Sequence, residues 1–111
     1  MKKIVSFDNK IFRSIYKNGK SNANKLLVMY YRKNGYDYNR LGITVSKKIG
    51  NSVERNRVKR LIKESYRINH ANYKCGYDII FIARLSIKNA TFKNVESALK
   101  HLMKKNNFIN K

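Results

Sequence analysis

The run Arg55-Asn56-Arg57-Val58-Lys59-Arg60 places four cations and one amide within six residues. A guanidinium fork grips phosphate bidentately and a lysine acts as a point charge, so this run is suited to docking on a polyanion. Asn56, between two arginines, can bond a phosphate, a sugar hydroxyl or a base edge. Lys47 and Lys48 lie just upstream of the same segment, where backbone amides and a helix dipole also favour an anion. A second set of residues is aromatic. Phe12 and Tyr16 are one helical turn apart, and Tyr30 and Tyr31 follow on a run of strand formers. Rings lining a groove stack unpaired bases, worth roughly 1–3 kcal/mol per base. Tyr16 and Tyr30 suit this better than Phe12, because a phenol tolerates a wet groove. Phe12 reads equally well as core.

The inventory for catalysis is poor. The acids are Asp8, Asp37, Glu54, Glu64, Asp78 and Glu96, and no two share one helix face. Glu64 lies beside Lys59, Arg60 and Lys63, which predicts an intrahelical ion pair. His70 and His101 have no Cys or carboxylate at metal-ligand spacing, and His101 reads as a solvent-facing or packing residue. Cys75 has no CxxC partner and reads as a free thiol. There is no glycine-rich phosphate loop. No residue is assigned as catalytic and none as a metal ligand.

These residues need elements to hold them. Ser6 to Asn18 reads as a first helix, capped by Ser6 or Asp8 and ended by Gly19, with Phe7, Ile11, Phe12, Ile15 and Tyr16 on one face. Leu26 to Tyr31 reads as a strand, and a short strand around Ser21 to Ala23 precedes it. Asn34-Gly35 is a hairpin signal leading to a second arm that ends Arg40 to Val45, with Leu41, Ile43 and Val45 on one face. The turn is either tight at Asn34-Gly35 or a longer loop reaching Asn39. Asn51 to Arg67 reads as an amphipathic helix capped by Asn51 or Ser52. Val58, Leu61, Ile62, Ser65, Tyr66 and Asn69 share one face, while Asn56, Arg60, Lys63 and Arg67 share the opposite one. Arg55 lies at the edge of the apolar face, in the first turn. Tyr77 to Ala83 is almost wholly apolar and fits a buried strand. Thr91 caps a last helix with an apolar stripe of Phe92, Val95, Leu99, Leu102 and Met103, and the basic tail 104–111 reads as flexible. The predicted fold is α+β: a small, mostly antiparallel sheet with helices, in the order α-β-β-β-α-β-α, forming a single domain over 1–111.

Composition narrows the partner. Twenty-six Lys and Arg oppose six Asp and Glu, a formal net charge of +20, within an ordinary 42% of hydrophobic residues. Self-repulsion of that size opposes compaction unless a polyanion neutralises it, and nucleic acid is the leading candidate. No apolar run is long enough to span a bilayer, and the N-terminus lacks the apolar stretch of a secretory signal. A single cysteine fits a reducing cytoplasm, where the protein is expected.

The stretch Val45-Ser46-Lys47-Lys48-Ile49-Gly50-Asn51-Ser52-Val53, followed by Arg55-Asn56-Arg57-Val58-Lys59-Arg60-Leu61-Ile62-Lys63-Glu64, strongly resembles the protein subunit of bacterial ribonuclease P. Phe12 to Gly19 resembles that family's first-helix pattern, and Asp78 to Arg84 its last strand. The resemblance covers nearly the whole chain. It implies a fold like the second domain of ribosomal protein S5, with a left-handed βαβ crossover in place of the usual right-handed one. It implies a holoenzyme that removes the 5′ leader from precursor tRNA, in which a large RNA acting with Mg2+ is the catalyst. Carried onto this chain, Arg55, Asn56, Arg57, Lys59 and Arg60 would face the catalytic RNA, with Lys63 and Arg67 further along the same helix. Phe12, Tyr16 and Tyr30 would line the cleft for the single-stranded leader, and Lys47, Lys48 and Asn51 would help both surfaces. Phe108 is a candidate for a further cleft aromatic of the family. The partners implied are ribonuclease P RNA and precursor tRNA, with no membrane and no obligate protein partner. The alternative is a ribosomal or other structural RNA-binding protein with no role in cleavage; a binder of double-stranded DNA, its basic helix in the major groove, ranks third.

Overall fold

The computed structural model describes residues 9–109, in the order α1 (Asn9–Asn18), β1 (Lys20–Ala23), β2 (Leu27–Lys33), β3 (Arg40–Thr44), α2 (Ser52–Asn69), β4 (Tyr77–Ala83) and α3 (Phe92–Lys105). Single 3-10 turns at Lys47–Ile49, His70–Asn72 and Leu85–Ile87 join the later elements. The expected caps Ser6 and Asp8, and Phe7 of the first apolar face, lie outside the described residues.

The four strands form one sheet in the order β1-β2-β4-β3. β1–β2 and β2–β4 are antiparallel, while β3–β4 is parallel and connected through α2. The expected hairpin between the second and third strands does not form. Asn34 and Gly35 do turn the chain, with Gly35 at φ 80° and the Asn34 side chain accepting from the Tyr36 N–H at 2.8 Å. But β4 takes the slot between the two arms. Ile79, Ile80 and Phe81 are fully buried, so this strand must be covered on both sides and both faces. The loop 34–39 therefore crosses its end. Asn39 fixes the crossing: its amide donates to the Lys74 carbonyl at 2.7 Å, and its carbonyl accepts from the Tyr77 N–H at 2.8 Å.

Strand alternation sorts the two faces. Leu27, Met29, Leu41, Ile79, Phe81 and Ala83 join Val58, Ile62 and Tyr66 of α2 and Val95, Leu99, Leu102 and Met103 of α3 in one buried core. Burying each large side chain contributes about 1.5–3 kcal/mol. α1 lies on the other face, where Ile15 and Ile80 are fully buried apart from that core. The end of α1 comes so close to β2 that a Cβ on Gly19 would sit 2.6 Å from the Ile15 carbonyl oxygen and 2.9 Å from that of Tyr31. After α3, Phe108 is buried with its ring edge-on to Tyr31 and Tyr77, and Ile109 bridges Tyr73.

On the α1 face, Arg32, Asp78 and Arg40 stand side by side across three strands. Asp78 is fully buried. Arg40 donates to both its carboxylate oxygens at 2.7 and 2.9 Å, Asn34 donates at 3.1 Å and Arg32 approaches to 3.4 Å. Burial pushes the Asp78 pKa up, but the bonds from Arg40, Asn34 and Arg32 together outweigh it and hold the group below its usual value. A carboxylate with a depressed folded pKa contributes stability above its unfolded pKa of about 4, lost as pH falls through the folded value. Asp78→Asn is therefore expected to flatten the acid limb of a stability–pH curve measured by urea unfolding. Asp78→Ala, which leaves two arginines facing a void, is expected to cost about 3–5 kcal/mol.

Candidate nucleic-acid interface

The basic helix starts where its sequence predicts. Asn51 is the N-cap: its side chain accepts from the Glu54 N–H at 2.9 Å, and the Glu54 carboxylate accepts from the Asn51 N–H at 2.9 Å, a reciprocal capping box. A Cβ on Gly50 would press on the Glu54 side chain and push aside the carboxylate that closes the box. Asn51 thus has a structural duty at the head of the interface. Ile49 is buried and anchors the short turn that leaves Lys47 and Lys48 exposed next to the helix start.

Along α2 the two faces separate as the helical wheel predicts. Val58, Ile62, Ser65 and Tyr66 are buried, while Asn56, Arg57, Lys59, Arg60, Lys63 and Arg67 are exposed. Three arginines are partly engaged. Arg55, half-buried in the first turn, donates through one guanidinium nitrogen to the Gly50 carbonyl at 3.3 Å. Arg57 donates to the Ala90 carbonyl at 2.8 Å, which ties the helix to the loop before α3 and orients the rest of its fork. Arg67 pairs with Glu64, so the expected intrahelical ion pair forms on the C-terminal side of Glu64 and does not use Lys59, Arg60 or Lys63. The Arg67 hydrogen bond holds the Glu64 carboxyl below its ordinary pKa. Among the described residues, Lys59, Arg60 and Lys63 make no ion pair. This leaves a stripe of uncompensated cations flanked by oriented guanidinium groups.

The aromatic set is brought together. Phe12 and Tyr16 lie 6.2 Å apart between ring centroids on α1, and Tyr30 of β2 meets Tyr16 edge-on at 5.0 Å. The Tyr16 hydroxyl reaches Thr44 at 3.5 Å. Next to this trio opens a shallow groove of about 610 Å³ lined by Phe12, Arg13, Tyr16, Ile43, Thr44, Val45 and Lys59. Arg13, Thr44 and Lys59 had no place in the cleft on sequence grounds. Arg13 is visible only as a cation next to Phe12, and Lys59 reads with its own helix until the fold carries α2 past the end of β3. Tyr31 points the other way, into the α2–α3 side, against Phe108. Phe108 is buried there and does not line the groove.

The acids are largely engaged in holding the fold together. Asp78, Glu54 and Glu64 are engaged as described, and Glu96 accepts from the Asn69 amide at 3.2 Å. Among the described residues no three His, Cys, Asp or Glu side chains group as a metal site. Cys75 is exposed and His101 contacts the Asn24 amide at 3.2 Å. None of the described helices is long and apolar enough to cross a membrane.

The ribonuclease P family model matches residues 6–107. A ribonuclease P protein component from Alkaliphilus oremlandii is 58% identical over 102 residues, spanning 92% of this chain and 90% of its own length. One from Clostridioides difficile is 58% identical over 95 residues, spanning 85% and 83%. Among solved structures, the Staphylococcus aureus ribonuclease P protein superposes with a TM-score of 0.89 at 39% identity, covering 97% of this chain and 100% of that one. The Thermotoga maritima protein does so with a TM-score of 0.80 at 39% identity, covering 85% and 89%. The chain thus belongs to the ribonuclease P protein family, the protein subunits of the endoribonuclease that processes tRNA.

Proposed function

We propose that this chain divides its work between two surfaces. The exposed cations of α2, with Lys47 and Lys48, dock on ribonuclease P RNA and relieve phosphate crowding around its catalytic centre. The groove lined by Phe12 and Tyr16, with Tyr30 packed edge-on against Tyr16 beside it, takes the single-stranded 5′ leader of precursor tRNA. Lys59 stands at the junction, where it reaches a phosphate of either strand. The observation that carries this reading is the sorting of charge and rings. Uncompensated cations lie on one helix, and its Lys59 also lines the aromatic groove. The chain contributes position and electrostatics, and bond cleavage falls to the RNA with its Mg2+. The donor set of the described residues does not suit a protein-held Mg2+, because the carboxylates are dispersed and mostly engaged. The protein works in the cytoplasm, where precursor tRNA is processed.

Reconstitution tests this. Mixing the chain with a bacterial ribonuclease P RNA and labelled precursor tRNA at low Mg2+ should raise leader cleavage well above that of the RNA alone. The chain alone should cleave nothing. Equal cleavage with and without the chain contradicts the assignment.

The net charge of +20 has its own consequence. Sulfate or phosphate, bound by the folded cation stripe but not by the dispersed unfolded chain, should stabilise the protein by linkage. The expected gain is about 2.7 kcal/mol at a hundred times the dissociation constant. A circular-dichroism melt should show the midpoint rising by roughly 10 °C or more. A midpoint no more sensitive to sulfate than to chloride at equal ionic strength would refute it.

A further inference from the structure

At the far end of the sheet lies a recess of about 450 Å³ that neither surface above uses. Two cation–aromatic pairs form its wall. Lys20 stands opposite Tyr31 across β1–β2, and Lys33 stands opposite Tyr77 across β2–β4. Lys74 completes the rim, its N–H held by the Phe108 carbonyl at 2.8 Å. Tyr31 and Tyr77 are half-buried, backed by the edge-on ring of Phe108 at 5.2 and 4.6 Å. No carboxylate is among the lining residues, and among the described residues none of the three lysines has an ion pair. The remaining cation of the lining, Arg32, is engaged with Asp78 and Ser14.

The recess is separate from the aromatic groove. The β3 residue of the groove nearest to it, Ile43, pairs with Phe81, whereas the recess reaches Tyr77, four residues away along β4, or roughly 13 Å. Its two rings, Tyr31 and Tyr77, pack with the α2–α3 core, whereas Tyr30 meets Tyr16 of α1. Three uncompensated ammonium groups around half-buried phenol rings suit a ligand with a phosphate and a flat π-face. The volume is in the range of small-molecule sites. We propose that this recess is a second RNA-binding site that holds one unpaired nucleotide, its phosphate among Lys20, Lys33 and Lys74 and its base against Tyr31 and Tyr77.

Residue-resolved NMR titration of the full chain with uridine 5′-monophosphate, uridine and inorganic phosphate tests this without any partner. The monophosphate should shift signals of Tyr31, Lys33, Lys74 and Tyr77, and bind there at least about fivefold more tightly than uridine or phosphate. Lys33→Gln with Lys74→Gln, both exposed positions, should weaken binding at the recess about tenfold and keep the folded spectrum. Shifts at Tyr16 should persist. Equal affinity for phosphate and the monophosphate reduces the site to an anion patch and overturns the proposal, as do unmoved signals at these residues. The RNA that supplies the nucleotide is read in the reconstituted holoenzyme. A photo-cross-linker on Cys75, adjacent to Lys74, should join either ribonuclease P RNA or the tRNA, and the joined strand names the source. Cleavage activity in the same mixture reports separately on the proposed function, and a cleaving mixture with no Cys75 cross-link to either RNA contradicts the second site alone.

Discussion

Arg60→Glu combined with Lys63→Glu is expected to lower affinity for ribonuclease P RNA by roughly two orders of magnitude or more, and to abolish the gain in cleavage at low Mg2+. Both side chains are exposed on α2 and make no ion pair among the described residues, so reversing them leaves the core intact. A charge-assisted hydrogen bond to phosphate contributes about 1.5–3 kcal/mol, and each factor of ten in affinity is about 1.4 kcal/mol. Two lost contacts alone account for the effect, and the introduced carboxylates add repulsion. The slope of log affinity against log salt should also shrink by about two, one for each phosphate contact removed. Arg55 and Arg57 are less clean sites for this test. Their ties to the Gly50 and Ala90 carbonyls mean that reversal there would disturb the helix start and the α3 approach as well as the RNA. Filter binding across a salt series, with a thermal melt of the free variant, separates the two causes.

The second large effect concerns substrate choice. Tyr16→Ala with Tyr30→Ala should weaken holoenzyme binding of precursor tRNA by about ten- to a hundredfold and leave mature tRNA unchanged. Each ring that stacks an unpaired base contributes roughly 1–3 kcal/mol, and mature tRNA has no leader to stack. Tyr16 and Tyr30 already meet edge-on at 5.0 Å, which fixes both rings before a base arrives and limits the ordering cost on binding. Equal loss for precursor and mature tRNA would favour a structural RNA-binding role without a leader cleft.

Much of this arrangement is legible in the residues. The period of α2 separates Val58, Ile62 and Tyr66 from Asn56, Arg60 and Lys63 because 3.6 residues per turn leave little ambiguity over five turns. Asn51 with Glu54 three residues later marks the helix start, and Thr91 does the same for α3, with Asn94 completing the box. Strand pairing was not legible. The Asn34-Gly35 signal describes only the turn, and which strand fills the neighbouring slot depends on β4, more than forty residues downstream. The cleft suffered the same limit. Phe12 and Tyr16 announce each other by helical spacing, but Lys59 and Thr44 join them only through the parallel β3–α2–β4 connection. Asp78 read as a lone acid in an apolar strand, because Arg32 and Arg40 reach it from two other strands. Phe108 read as a tail residue, since nothing local shows that Tyr31 and Tyr77 leave a place for it.

The division of labour between helix and groove is tested most directly by cross-linking from the leader itself. A precursor tRNA carrying 4-thiouridine within its leader, bound to the reconstituted holoenzyme and irradiated, should join the protein at the strip formed by Phe12, Arg13, Tyr16 and Tyr30. Cross-links from the leader to Arg60 or Lys63 on α2 instead, with the groove unmarked, would contradict the account.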